Sequence, residues 1–343
     1  MTAAALRLDL DGAALVANWR WLARQAGVAC GAAIKADGYG LGAREVMARL
    51  AGAGARSFFV SSWAEAAALG PLPGEISLSV LHGVREADVP VAKTTSARPV
   101  LNSAGQVARW REMGGGACDV MVDTGMNRLG LSPEEACSGL LDGLPIATLM
   151  SHLACAEDAG HSMNGHQRDA LRAVAARISA AAHSLANSAG VMLGQDYVFD
   201  LVRPGLALYG GRPGPGMEAI RQVVRPMAEV IQCRQVEAGG TVGYGATWTA
   251  PAASKVAILN VGYADGYFRC FSGVGSARVG DRLRPLVGRV SMDLVAVDVT
   301  GCDVGEGDWL ELAYDLPDAA STSGMSQYEL LTGLGPRYQR SWT

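Results

Sequence analysis

Lysine is scarce in this chain. Of 29 lysine and arginine side chains only three are lysine: Lys35, Lys93 and Lys255. No block of basic residues stands out, and the formal net charge is -4. Neither nucleic acid nor an anionic membrane surface therefore has an electrostatic footprint to meet. No apolar run approaches the roughly 20 residues that span a bilayer. The N-terminus lacks the basic-then-apolar pattern of a secretory signal. The seven cysteines are scattered, odd in number and never spaced as CxxC, which argues against a disulfide framework or a zinc site. Reduced thiols in a cytoplasmic setting are the expectation. Internal repeats and low-complexity linkers are absent too.

What remains is a 343-residue chain, 49% hydrophobic and 18% charged. That length and balance suit a globular protein with two domains, or one large and one small. Within it, Lys35 ends an apolar, strand-like approach, Gly31-Ala32-Ala33-Ile34, and a turn punctuated by Gly38 and Gly40 follows. Arginine keeps its proton in proteins, whereas a desolvated lysine can lose it. A neutral amine can attack an aldehyde and later accept a proton. The plainer reading of Lys35 is a salt bridge at a strand end. Tyr39 lies in the glycine turn, where the backbone admits a phosphate and a phenol can donate to it; packing as a loop aromatic is the plainer reading. An amine beside a phosphate site suggests pyridoxal phosphate, which offers an aldehyde to one and a phosphate to the other.

The first two-thirds alternates short apolar runs with helical periodicity. Asp11 can cap a helix bearing Leu15, Trp19 and Leu22 on one face. Strands are expected over 28–34, 58–61, 76–81 and 119–123, and ending at His152. Ser132-Pro133-Glu134-Glu135 has the form of a capping box with proline at the first helical position. Leu171, Val174, Ile178 and Leu185 mark a later helix. Repeated strand–loop–helix units predict a parallel barrel. After about Gly216 short β-like runs separated by turns such as Gly305-Glu306-Gly307-Asp308 take over, which predicts a smaller, mostly β domain. The fold expected is α/β: a (β/α)8 TIM-type barrel over 1–219, then a β domain over 220–343.

Ala33-Ile34-Lys35-Ala36-Asp37-Gly38-Tyr39-Gly40 resembles the cofactor-lysine signature of the alanine racemases, barrel-fold pyridoxal-phosphate enzymes. Other segments follow in that family's order. They are the loop Asp123-Thr124-Gly125-Met126-Asn127-Arg128-Leu129-Gly130, the strand end Ser151-His152-Leu153-Ala154, and Asn187-Ser188 before Arg203-Pro204-Gly205-Leu206-Ala207-Leu208-Tyr209-Gly210. In the second domain come Val242-Gly243-Tyr244-Gly245-Ala246-Thr247-Trp248, Gly262-Tyr263-Ala264-Asp265-Gly266-Tyr267 and Gly288-Arg289-Val290-Ser291-Met292-Asp293.

The resemblance implies interconversion of L- and D-alanine on pyridoxal 5'-phosphate, and a cytoplasmic homodimer with shared active sites that supplies D-alanine for peptidoglycan. It implies that Lys35 carries the cofactor as an aldimine and works one face of the substrate. Tyr244, from the other subunit, would work the opposite face. A tyrosine with its ordinary pKa near 10 needs cationic or hydrogen-bonding neighbours to act as a base, a part that falls to His152 and Arg203. Arg203 would face the ring nitrogen and, keeping its proton, leave that nitrogen unprotonated. Tyr39, Ser188, Gly205 and Tyr328 would hold the phosphate. Arg128, Tyr263 and Met292 would meet the substrate. A serine or broad-specificity racemase, or a non-catalytic carrier of the cofactor, stays open, although a carrier has no use for Tyr244. Two positions depart from the family. Met121 stands where several members have a carbamylated lysine, with Asn127 or an anion as the candidate replacement; Ser291 stands where cysteine is common.

Overall fold

The computed structural model describes residues 5–343; residues 1–4, with which the expected first domain begins, lie outside the described residues. The chain forms two compact units. One is Leu15–Arg221; the other joins Gln222–Thr343 to the N-terminal segment through Ala14.

The first unit is an eight-stranded parallel barrel. Ala29–Cys30 and Ala32–Ala33 make one interrupted strand, followed by Ser57–Val60, Ser77–Val80, Arg98–Leu101, Cys118–Met121, Ile146–Met150, Ala182–Ser184 and Leu201–Val202. Closure is explicit. Leu201–Val202 pairs in parallel with Ala29–Cys30, and on its other side Arg203 donates its backbone N–H to Ala186 O at 2.9 Å. Most residues of these strands are buried on both faces, as befits a parallel sheet covered on both sides. They therefore read as short apolar runs rather than alternating ones. Three were not legible: Arg98–Leu101 holds Pro99, and Ala182–Ser184 and Leu201–Val202 are too short to show a period.

The helical expectations were met with local corrections. Asp11 accepts from the Ala14 amide at 2.8 Å and caps the helix Gly12–Ala26, whose Leu15 and Leu22 are fully buried. The Ser132–Glu135 capping box forms, but Pro133–Glu135 soon passes into a wider turn broken at Gly139. The helix holding Leu171 and Val174 ends at Ala175, so Leu185 lies beyond the next strand, Ala182–Ser184, instead of on that helix.

The second unit is antiparallel. Its centre is the 13-residue strand Val224–Val236. One half of it pairs with Leu6–Leu10 and Trp309–Leu312, the other half with Ser254–Leu259. The register shifts between Val230 and Gln232, and such a bulge bends a strand. The bend lets one strand serve both ends of the series Ser254–Leu259, Val295–Asp298, Arg282–Val287, Ser276–Val279 and Trp309–Leu312, closing a small barrel.

The division departs from the expected 1–219 and 220–343 at the N-terminus. Leu6, Leu8 and Leu10 point into the β unit, and their strand also runs parallel to Gln339–Trp342. Sequence order suggested one domain after the other; strand pairing puts the first strand with the last. Leu8 is fully buried, so Leu8→Ala is expected to cost about 2–5 kcal/mol. Chemical denaturation should show a lower midpoint; an unchanged one would contradict this placement.

Candidate active site

Five of the expected site residues follow the C-terminal ends of barrel strands, the face where such barrels carry their chemistry. Lys35 follows Ala32–Ala33, Arg128 the strand Cys118–Met121, His152 the strand Ile146–Met150, Ser188 the strand Ala182–Ser184, and Arg203 the strand Leu201–Val202.

Lys35 is half-buried, and its amine is held below its ordinary pKa. Burial is the main cause; Arg128 and Arg203 push the same way, and Glu65 opposes them. The amine is thereby biased towards its neutral, nucleophilic form.

Tyr39 is buried and stacks on Tyr209, with ring centroids 4.6 Å apart. The Tyr209 hydroxyl donates to Ala33 O at 2.8 Å, tying this pair to the Lys35 strand. The Tyr39 hydroxyl comes so close to Gly205 that a Cβ there would sit 2.2 Å from it; only glycine fits. Ser188 Oγ accepts from the amides of Gly205 and Ala207 at 3.0 and 3.2 Å. Both acceptor positions of the hydroxyl are then used, and its own proton remains to donate. Two hydroxyls thus converge at Gly205, which has no side chain, a donor set suited to a phosphate.

Arg203 is almost fully buried. One guanidinium nitrogen donates to Ser184 Oγ, another to Ser151 O at 2.6 Å, and the group lies over the Phe59 ring at 5.9 Å. Burial lowers its pKa to about 10, and the carboxylate of Asp119 works against that fall. Arg203 therefore stays cationic at neutral pH with a fixed orientation. Asp119 is itself fully buried, accepting from Ser79 Oγ at 2.6 Å with Arg98 at 3.6 Å.

His152 is suited to the hydrogen-bonding part of its expected role and not to the cationic one. Its ring keeps some exposure, but the surrounding protein and the charges of Arg203, Arg128 and Lys35 push its pKa down to about 3. It is a neutral imidazole near pH 7. It can hydrogen-bond a phenolate, but it does not add a positive charge.

Arg128 is exposed on a loop that one carboxylate folds. Asp123 accepts from the amides of Gly125, Asn127 and Arg128 at 2.9, 3.0 and 2.7 Å. Burial alone would raise the Asp123 pKa, but these amides outweigh it and the net direction is down. Met121 is buried under this loop. Asn127 helps to hold the turn through its backbone, with a φ of 56° and its amide given to Asp123.

Tyr244, Tyr263, Met292 and Tyr328 all belong to the β unit. Tyr244 stands on a tight turn flanked by Gly243 and Gly245 and is 69% exposed. Tyr263 and Met292 are brought together by backbone bonds: Tyr263 N–H to Ser291 O at 3.0 Å and Ala264 N–H to Met292 O at 3.1 Å. A Cβ on Gly262 would lie 2.3 Å from Met292 O, so glycine permits this approach. Arg337 fastens both turns, donating to Asp265 at 2.7 Å and to Asp293 at 2.8 Å. Ser291 Oγ donates to Leu294 O at 2.8 Å and accepts from its amide at 3.1 Å; here a hydroxyl closes the turn that carries Met292. Tyr328 is half-buried on the helix Gln327–Thr332.

Sequence reasoning missed Asp119, Arg337 and Glu65. Glu65 had a local signal, the Ser62-x-x-Glu65 capping box. Asp119 and Arg337 had none, since their partners are distant in sequence.

The chain is similar to known proteins over nearly its whole length. Residues 10–213 match the family described as "Alanine racemase, N-terminal domain", and 223–342 match "Alanine racemase, C-terminal domain". The chain is 45% identical over 344 residues to an alanine racemase of Jannaschia sp. (strain CCS1), covering 98% of each chain. It is 44% identical to one of Cereibacter sphaeroides (strain ATCC 17029 / ATH 2.4.9), covering 100% of this chain and 99% of that one. Among solved structures, alanine racemase from Bartonella henselae with covalently bound pyridoxal phosphate superposes with a TM-score of 0.91 at 35% identity, over all of both chains. The biosynthetic alanine racemase of Pseudomonas aeruginosa gives 0.89 at 30% identity, over 99% of this chain and 100% of that one.

The neutral His152 has a consequence for stability. Between its ordinary pKa of 6.5 and about 3, the unfolded chain takes up a proton that the folded one refuses. Its contribution is therefore fully present above that window and is lost as the pH falls through it. His152→Gln should make the acid limb of a stability-against-pH curve shallower between pH 6.5 and 3. In the unsubstituted protein, ring nitrogen shifts of His152 should stay flat from pH 8 to 5; a midpoint near 6.5 would contradict the assignment.

Proposed function

The chain belongs to the alanine racemase family, and we propose on that premise how its own residues interconvert L- and D-alanine with pyridoxal 5'-phosphate as cofactor. The observation that carries the reading is the cluster at one barrel face: an amine below its ordinary pKa, a buried cationic arginine, and two hydroxyls converging at Gly205. These match the three ends of the cofactor. Lys35 would take its aldehyde, Arg203 its ring nitrogen, and Tyr39 and Ser188 its phosphate, in the room that Gly205 leaves. Tyr328 would join the phosphate set from the β unit. When bound, the cofactor supplies an electron-withdrawing ring that acidifies the α-hydrogen of an attached amino acid.

The protein's part is to hold, orient and move one proton. Arg203 cannot readily give up its proton, so it would donate to the ring nitrogen without protonating it. Lys35 Nζ removes or returns the α-proton on one face. The other face needs a second acid/base group, because a single group returning its own proton regenerates the enantiomer it started from. Tyr244 Oη is our candidate. Neutral His152 would support its phenolate through a hydrogen bond, leaving the positive charge to Arg203. Arg128 would meet the substrate carboxylate, with Tyr263 and Met292 shaping its pocket.

Tyr244 would act in trans, in a homodimer with two shared sites. Its exposure of 69%, with Met292 at 53% and Leu294 at 38%, supports this, because side chains of that size seldom stand open in such a group unless a partner covers them. No helix among the described residues is long and apolar enough to cross a membrane. We propose a cytoplasmic setting, with D-alanine passing to peptidoglycan synthesis.

The test is formation of D-alanine from L-alanine by purified protein and pyridoxal phosphate, read by chiral chromatography. A wider panel of amino acids would show whether serine is turned over as well. Tyr244→Phe is expected to lower kcat by about 10²–10⁴-fold. In deuterated water it should still exchange the α-hydrogen of one enantiomer. Undiminished racemisation by that variant would remove Tyr244 from the pair.

A further inference from the structure

Immediately after Lys35 the backbone turns left-handed. Ala36, Asp37 and Tyr39 have φ of 53°, 52° and 56°, with Gly38 and Gly40 in the same region. For residues bearing a Cβ this conformation is disfavoured, and it persists only where the surroundings enforce it. Part of the enforcement is local: Gly38 N–H bonds Ile34 O at 2.8 Å, Gly40 N–H bonds Ala36 O at 2.8 Å, and Asp37 Oδ1 accepts from the Ala43 amide at 2.8 Å. The first left-handed residue is held from outside. Ala36 N–H donates to Glu65 Oε1 at 2.8 Å.

Glu65 belongs to the capping box that opens the helix Trp63–Leu69. A capping glutamate ordinarily takes the N-cap amide. Here that bond, from Ser62 N–H, is long at 3.4 Å, whereas Ser61 N–H is at 2.6 Å and Ala36 N–H at 2.8 Å. The carboxylate has moved off its helix towards the neighbouring strand exit. The two strands are adjacent, Ala33 lying opposite Phe59, so one carboxylate spans both exits. The charges acting on Lys35 are Glu65, Arg128 and Arg203, and Lys35 in turn acts on His152. Glu65 is the anionic member of that group.

We propose that Glu65 is a positioning residue for Lys35: it pins the left-handed turn that aims the amine and supplies the negative charge beside it. The proposal rests on the reading of Lys35 as the cofactor lysine. Both oxygens are in use, so Glu65→Gln keeps one acceptor but sets an amide N–H against a backbone N–H, and removes the charge. Glu65→Asp keeps the charge and loses the reach. Ser62→Ala is the control, because it takes the acceptor from the Glu65 amide (Ser62 Oγ, 3.3 Å) and weakens the helix without touching Ala36 or Lys35.

Two quantities are read on the full chain. One is the pH midpoint of Lys35 reactivity towards an amine-labelling reagent after cofactor removal, followed by mass spectrometry. The other is the affinity for added pyridoxal phosphate, by fluorescence titration. Loss of a nearby negative charge lowers a lysine pKa, so Glu65→Gln should move the midpoint down by roughly half a pH unit or more. It should weaken cofactor affinity about tenfold or more, of order one hydrogen bond to a charged group. Glu65→Asp should weaken affinity with a smaller midpoint shift, and it stands in if the glutamine variant does not fold. Ser62→Ala should lower Tm and leave both quantities at the wild-type values. The proposal is overturned if Glu65→Gln changes neither quantity, or if Ser62→Ala changes both as much, which would make Glu65 a helix cap alone. Lys35→Ala separates the two readings: should borohydride still fix cofactor to that variant, the assignment of Lys35 fails, whatever Glu65 does.

Discussion

Positive charge crowded at the mouth of one barrel is the constraint from which the rest of the site follows. Lys35 and His152 lie within the fields of Arg128 and Arg203, partly out of water. Four cations cannot be held together there cheaply. Each group settles differently. His152 gives up its proton, Lys35 is pulled towards neutrality, and Arg128 stays on an exposed loop in solvent. Arg203 alone is buried and charged, with two oxygen acceptors, an aromatic face and the deeper carboxylate of Asp119 to support it. A mouth arranged in this way attracts anions and contains an amine ready to react, which are the two properties that a phosphate-bearing aldehyde and an amino acid require.

The barrel makes that crowding possible. Strands far apart in sequence end on one rim, so residues 35 and 203 become neighbours through the pairing of Leu201–Val202 with Ala29–Cys30. Rigid strand ends then present side chains through short loops. Each loop is internally fastened: Asp123 gathers the amides around Arg128, Ser188 gathers those of Gly205 and Ala207, and Glu65 joins two strand exits. The β unit repeats the device with Arg337 across Asp265 and Asp293. In each case a polar side chain with several acceptors or donors replaces the regular ladder where the chain must leave it.

Much of this was readable in advance, for specific reasons. The buried strands before Lys35 and His152 are apolar runs that stop abruptly, and Asp11 and Ser132 announce helix starts through chemistry confined to four residues. The ordered series of short segments carried the family resemblance and with it the candidate site. Where reading failed, the missing information was non-local. Pro99 concealed a strand, Leu185 kept helical spacing by coincidence, and Leu6–Leu10 gave no hint that it pairs with Val224–Val236.

Taken alone, the sequence determined the chemical inventory: which residue types stand at strand ends, that Lys35 is a lysine in a chain that otherwise relies on arginine, and that its neighbours include glycines able to admit a phosphate. Tertiary structure decided the protonation and the aim of those groups. Whether His152 carries charge depends first on its burial and then on Arg203 and Arg128, surroundings it meets only when the barrel closes. Which way Lys35 points depends on a left-handed turn braced by a carboxylate from the next strand exit. Burial and electrostatic fields are sums over neighbours in space, and a linear chain does not specify those neighbours until it folds.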